Sequence, residues 1–212
     1  MEINLGAAWI KAQQDFSQAD PATMAVRAGA ELVPPSLMRL VYFRRPVLVA
    51  HPQGEVRAET GPPLSRREQI LILHYLVTAS GAPPERQWIG FAQIPGGHIY
   101  LQPFRQRCVR PLIARFGSDL AALARAAEAL GGQPLAMGDA AYALPVLPRV
   151  DLAVVLWQGD EEFPANATVL FDRAVSAYLS LEDCATLAQL AAAYLVNTAS
   201  GRSQVPPDLP LK

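Results

Sequence analysis

Cysteine is scarce in this 212-residue chain: Cys108 and Cys184 stand far apart, and no CxxC spacing accompanies them. Neither a zinc ribbon nor an iron–sulfur motif can be built locally, and the chain reads as a reduced protein. Histidine is equally thin. His51, His74 and His98 are too widely spaced for a local metal motif. Charge is low as well: 17% of residues are Asp, Glu, Lys or Arg, against a usual ~25%. With 18 basic and 19 acidic residues the net charge is −1, so the chain is no globally basic nucleic-acid binder. No apolar run approaches the ~18 residues of a membrane span, which gives the expectation of no membrane partner. Met1-Glu2-Ile3-Asn4 has neither a basic region nor a long apolar one, so the expected location is cytoplasmic. GxSxG, GxGxxG and GxxxxGK[ST] are all missing.

What is present is 51% apolar residues and 19 prolines. That apolar content excludes a disordered acidic chain, and the length allows a real core. Residues 5–18 read as a helix. Asp20-Pro21 opens a second, with Asp as N-cap and Pro at the first helical position, and Gly29 ends it. Residues 39–51 are rich in β formers but interrupted by Arg44-Arg45-Pro46, giving two short strands or one bent edge strand. A short strand follows at 55–58. Ser65-Arg66-Arg67-Glu68 is a capping box opening a helix over 65–80. Only His74 and Tyr75 carry polar atoms between 70 and 77, so this helix belongs in the middle of the fold.

Residues 88–103 read as a β-hairpin about Pro95-Gly96-Gly97. Helices are expected at 106–116, where Pro111 would kink or restart the chain, and at 119–130. Strands are expected at 142–147 and 150–157, with Pro145 making the first an edge strand and the second central. After Pro164, apolar residues at 167, 170, 171, 174, 175 and 178 make a helical stripe, with a strand through Val169-Leu170-Phe171 as the alternative. A second capping pattern, Ser180 to Asp183, opens a last helix to about 196. The expected whole is one α+β domain over 1–199, a mainly antiparallel sheet packed with helices, followed by a loose Pro-rich tail over 200–212.

Two segments could carry chemistry. In Trp157-Gln158-Gly159-Asp160-Glu161-Glu162-Phe163-Pro164 a buried strand runs into a glycine and three acids. Asp160 and Glu162 are candidate ligands for a divalent metal, the candidate cofactor, and a carboxylate desolvated beside Trp157 could act as a base. The alternative is that these acids serve only a helix start. The second segment, 86–115, holds five arginines and no acid, whereas 151–183 holds seven acids and one base. Arg105 beside the glycine turn, with His98 and Tyr100, could receive a phosphate or carboxylate; the alternative is a solvated basic face. Glu182 and Asp183 read as first-turn acids, and His74 as a hydrogen-bonded core histidine.

Five segments occur in order: Gln69-Ile70-Leu71-Ile72-Leu73-His74-Tyr75-Leu76, Trp88-Ile89-Gly90-Phe91 with Pro95-Gly96-Gly97, Leu147-Pro148-Arg149-Val150, the 157–164 acidic loop, and Leu170-Phe171-Asp172. Over about residues 20 to 197 this resembles the uncharacterised family domain-of-unknown-function 3786. The resemblance implies no established activity. It implies relatives mostly in anaerobic bacteria and archaea, some similar to fusions with a four-cysteine iron–sulfur domain like that of corrinoid proteins. This chain lacks those cysteines. The resemblance also puts Asp160, Glu162 and Asp172 on matching positions. The first expectation is therefore a small-molecule or metal-binding accessory domain, linked to anaerobic corrinoid or one-carbon metabolism. Its pocket would lie between the 159–164 loop and the aromatic hairpin. The alternatives are a metal-assisted hydrolase or transferase using Asp160 and Glu162, with Glu161 or His98 as acid/base, and a homodimeric interaction module.

Overall fold

A computed structural model describes residues 5–201; the expected tail over 200–212 lies almost wholly outside the described residues. Two antiparallel sheets and a set of helices share one hydrophobic core. The chain opens with α1 (Leu5–Gln18) and α2 (Pro21–Ala28). Asp20 caps α2 by accepting from the Thr23 N–H at 2.8 Å, and Gly29 closes it at φ 67°. Strands β1 (Glu31–Val33), β2 (Leu37–Tyr42), β3 (Arg45–Ala50) and β4 (Glu55–Ala58) form the first sheet in that order. Of the two readings of 39–51, two strands is right. Phe43 and Arg44 turn the chain at φ 44° and 63°, the left-handed conformations that a two-residue hairpin loop demands. Neither is glycine, and tertiary contacts offset the cost. Phe43 is buried, stacks on Tyr194 at 4.5 Å, and donates its N–H to the Val146 carbonyl of the other sheet.

Helix α3 (Arg66–Thr78) starts at the capping box: Ser65 accepts from the Glu68 N–H while Glu68 accepts from the Ser65 N–H at 2.7 Å. Ile70, Leu71, Ile72, Leu73, Tyr75 and Leu76 are all buried, so this is the central helix that its composition predicts. The Tyr75 hydroxyl donates to the Ala28 carbonyl at 2.6 Å and accepts from the Arg149 N–H at 3.1 Å, pinning α2 and a distant hairpin to α3.

The expected hairpin over 88–103 is not there. Only β5 (Trp88–Gly90) is extended; two 3-10 turns follow, Phe91–Gln93 and Gly97–Tyr100, and then α4 (Leu101–Phe104). Pro95-Gly96-Gly97 does turn the chain, but so tightly that a Cβ on Gly97 would lie 1.9 Å from the Phe91 carbonyl oxygen. The chain folds back on its own backbone instead of along a second strand. Beyond α4 the helix opens into a π turn, Arg105–Val109, and resumes as α5 (Arg110–Phe116). Pro111 supplies the reason: it has no N–H for the carbonyl four residues back and its ring crowds it, so the preceding turn widens. Helix α6 (Leu120–Ala129) follows Asp119, which caps it.

Strands β6 (Gln133–Pro134), β7 (Ala140–Leu147), β8 (Val150–Trp157) and β9 (Asn166–Asp172) complete the second sheet, ordered β5-β9-β8-β7-β6. As expected, β8 is central and mostly buried on both faces. β7 lies one in from the edge, but two-residue β6 pairs only with Tyr142 and Ala143, which leaves Pro145 free of a second neighbour beside a register shift. The stripe after Pro164 is not one helix: its first half is β9, the alternative reading through Val169-Leu170-Phe171, and Ala174 and Val175 fall on a 3-10 turn, Arg173–Ala177. Two strands, β5 and β8, pair on either side of β9, and that ladder overrides the helical periodicity. Helix α7 (Leu181–Ala199), capped by Ser180, packs on α3, α5 and α6.

Candidate functional site

Helices α1, α3 and α7 and the 91–108 segment line a half-open cavity of about 610 Å³. Its wall is largely apolar, with Ala8, Ile70, Leu71, Phe91, Phe104 and Leu181. Phe91 and Phe104 stack with ring centroids 4.0 Å apart. Set into that wall are His74, Asp183, Tyr100, Thr186 and Gln189, with two arginines, Arg67 and Arg107, and Glu182.

The best-defined polar feature is the His74–Asp183 pair. His74 leaves the central helix on its one partly open side, and Asp183 sits in the first turn of α7. His74 Nδ1 lies 2.8 Å from Asp183 Oδ1. An ionised carboxylate only accepts, so Nδ1 carries the proton and Nε2 is left for another partner. Ser180 Oγ donates to Asp183 Oδ2 at 2.6 Å and accepts from the Asp183 N–H, so the carboxylate is held from both sides. The hydrogen bond to Asp183 raises the His74 pKa against the opposing effect of partial burial, and the charges of Asp183, Asp15 and Glu182 add to the rise. Cys108, on the π turn, is the opposite case. Burial pushes its thiol up to about 12, so it lines the cavity as a neutral thiol.

The cavity does not gather the residues singled out by sequence. Tyr100 lines it, 58% exposed at its rim. His98 and Arg105 are exposed and lie outside its lining. Trp157 sits at the end of β8, 40% exposed. Asp160, Glu161 and Glu162 are all exposed on the loop between β8 and β9. Asp160 Oδ1 accepts from the N–H groups of Glu162 and Phe163 at 2.9 and 2.7 Å, which holds its pKa below the ordinary value. With a strand rather than a helix after Pro164, the three acids have no helix start to serve, and the loop closes on itself. Among the described residues no group of three or more His, Cys, Asp or Glu is arranged to hold a metal ion. Asp172 is buried, yet its oxygens accept from the N–H groups of Glu85, Arg86 and Ala174, so it anchors the segment before β5.

The two opposed charge blocks do not pair: among the described residues no salt bridge joins the arginines of 86–115 to the acids of 151–183. They meet at the cavity, where Arg107, Glu182 and Asp183 share the lining. Sequence reasoning passed over this site because His74 and Asp183 are 109 residues apart and each has a sufficient structural role. The one signal available was a lone histidine in an otherwise apolar helix.

The fold is a single α+β domain with a half-open, largely apolar cavity on one side. The chain belongs to the DUF3786 family, a domain of unknown function, whose model matches residues 20–194. No curated protein and no solved structure matches the chain. No helix among the described residues is long and apolar enough to cross a membrane.

Proposed function

We propose that this domain is a small-molecule-binding accessory domain whose ligand occupies the cavity beside His74 and Asp183. The observation that carries this reading is an apolar cavity of about 610 Å³ with a few convergent polar groups, the usual form of a small-molecule site. The expected pocket beside the 159–164 loop has no such support, since those acids are exposed and Asp160 is held by its own loop.

The test is a thermal-shift panel of apolar-bodied compounds, with corrinoids and divalent cations as further arms, on wild type, Thr186→Trp and Asp160→Ala. Thr186→Trp fills the cavity from α7. A compound present at a hundred times its Kd stabilises the wild type by about 2.7 kcal/mol. That stabilisation disappears in Thr186→Trp and persists in Asp160→Ala. A compound stabilising all three proteins equally removes the cavity from the account, and one lost only in Asp160→Ala returns the function to the acidic loop.

A second reading, an acid–base enzyme, is favoured by the His74–Asp183 pair, because a histidine held at Nδ1 by a carboxylate has the geometry of a general base. Incubating a stabilising compound with the protein separates the two. Recovery of the compound unchanged supports binding alone, and conversion abolished by His74→Ala supports catalysis.

A further inference from the structure

We infer that the cavity selects ligands with an oxyanion head, a carboxylate or phosphate on a compact apolar body, and that Arg107 is the residue that selects them. This rests on the cavity reading above and deepens it.

Arg107 is carried by the π turn and lines the cavity. Its guanidinium forms no hydrogen bond or ion pair with any described residue, whereas Arg67, which shares the lining, is not free, and Arg39, Arg45, Arg110, Arg115 and Arg173 each have a side-chain partner. The acids of the same wall do not neutralise it. Asp183 is engaged through both oxygens, by His74 and by Ser180. Glu182 is exposed at the rim and has no salt bridge to Arg107 among the described residues.

The consequence appears when the cavity fills. An apolar body entering it displaces part of the water from this exposed guanidinium, and water lost without a new partner carries a desolvation penalty. A neutral ligand leaves that penalty in place, and a cation adds repulsion to it. A carboxylate or phosphate removes it, because the guanidinium fork matches two oxygens at once. The Tyr100 hydroxyl at the rim also has no hydrogen-bond partner among the described residues and can donate to the same head.

Matched probes test this on the full chain: benzoate, 2-naphthoate and decanoate, each against its primary amide, with 2-naphthyl phosphate as a separate arm. Titration calorimetry reads the affinities on wild type, Arg107→Ala, Arg107→Lys and Thr186→Trp. Arg107 is exposed, so its variants keep the fold. In the wild type at least one acid binds roughly ten- to a hundredfold tighter than its amide, the scale of a hydrogen bond to a charged group. Arg107→Ala brings that acid down to the amide's affinity and leaves the amide unchanged, while Arg107→Lys retains part of the preference. A phosphate tighter than naphthoate, and equally dependent on Arg107, identifies the head as phosphoryl. Acid and amide binding equally, or a preference that survives Arg107→Ala, overturns the inference while binding that Thr186→Trp abolishes keeps the cavity reading. Failure of every probe to bind overturns both.

Discussion

Replacing Asp183 by Asn keeps the side chain's shape and one accepting oxygen but removes the charge that faces His74. The magnitude follows from the geometry. A hydrogen bond to a charged group contributes ~1.5–3 kcal/mol when buried. The His74 side chain is 34% exposed, so solvent screening lowers this to about 1 kcal/mol. Asp183 also lies in the first turn of α7, where a carboxylate interacts favourably with the helix dipole, adding about 0.5 kcal/mol. The two contributions differ in pH dependence. The folded-state pKa of His74 is raised, so its contribution is fully present below the unfolded value, ~6.5, and is lost as pH rises through the folded value. Urea denaturation should therefore find Asp183→Asn less stable than wild type by about 1.5 kcal/mol at pH 5.5 and by only about 0.5 kcal/mol at pH 9. For a chain of this length the larger gap is about 3–6 °C in Tm. NMR titration of the His74 ring, assigned with His74→Ala, should give a pKa above ~6.5 that falls in Asp183→Asn. A wild-type His74 titrating at or below that value, or a stability gap that does not change with pH, would refute the argument.

Tyr194→Phe removes the hydroxyl that donates to Glu68 Oε1 at 2.5 Å, leaving a fully buried carboxylate oxygen without that partner; a loss of about 2 kcal/mol is expected in urea denaturation. Gly97→Ala places a methyl against the Phe91 carbonyl and should cost about 2–3 kcal/mol or prevent folding, read by circular dichroism and yield of soluble protein. Cys108 and Cys184 are buried with raised pKa values, so both thiols should react with a disulfide reagent at pH 8 only slowly in the native protein and at once in urea.

Much of the helical frame was legible because its signals are local. Asp20-Pro21, Ser65 with Glu68, and Ser180 bond within their own first turns, so each helix start is written in about four residues. The 91–103 segment was not legible, and β9 was legible only as the alternative to a helix, for opposite reasons. In the first, proline and two glycines announce a turn, but whether the chain returns as a strand along the outer edge of β5 depends on packing, and here Phe91 and Phe104 stack on each other in the core instead. In the second, apolar residues at helical spacing also suit a strand buried between two neighbours, and the neighbours lie in distant segments. The acidic candidates rested on adjacency in the chain rather than on packing. Asp160, Glu161 and Glu162 are conspicuous because they are adjacent, and a short loop suffices to place them in solvent.

The sequence by itself determined the class of protein: an α+β chain with a central apolar helix, a buried strand over 150–157 and no local cysteine site. These follow from composition and from interactions among near neighbours. Only the tertiary structure decided which polar side chains share the cavity. His74, Arg107 and Asp183 come from three separate segments, and each has an ordinary structural explanation when taken alone. Their convergence depends on how α3, the π turn and α7 pack, and packing is set by shape and burial across the whole core rather than by any short pattern.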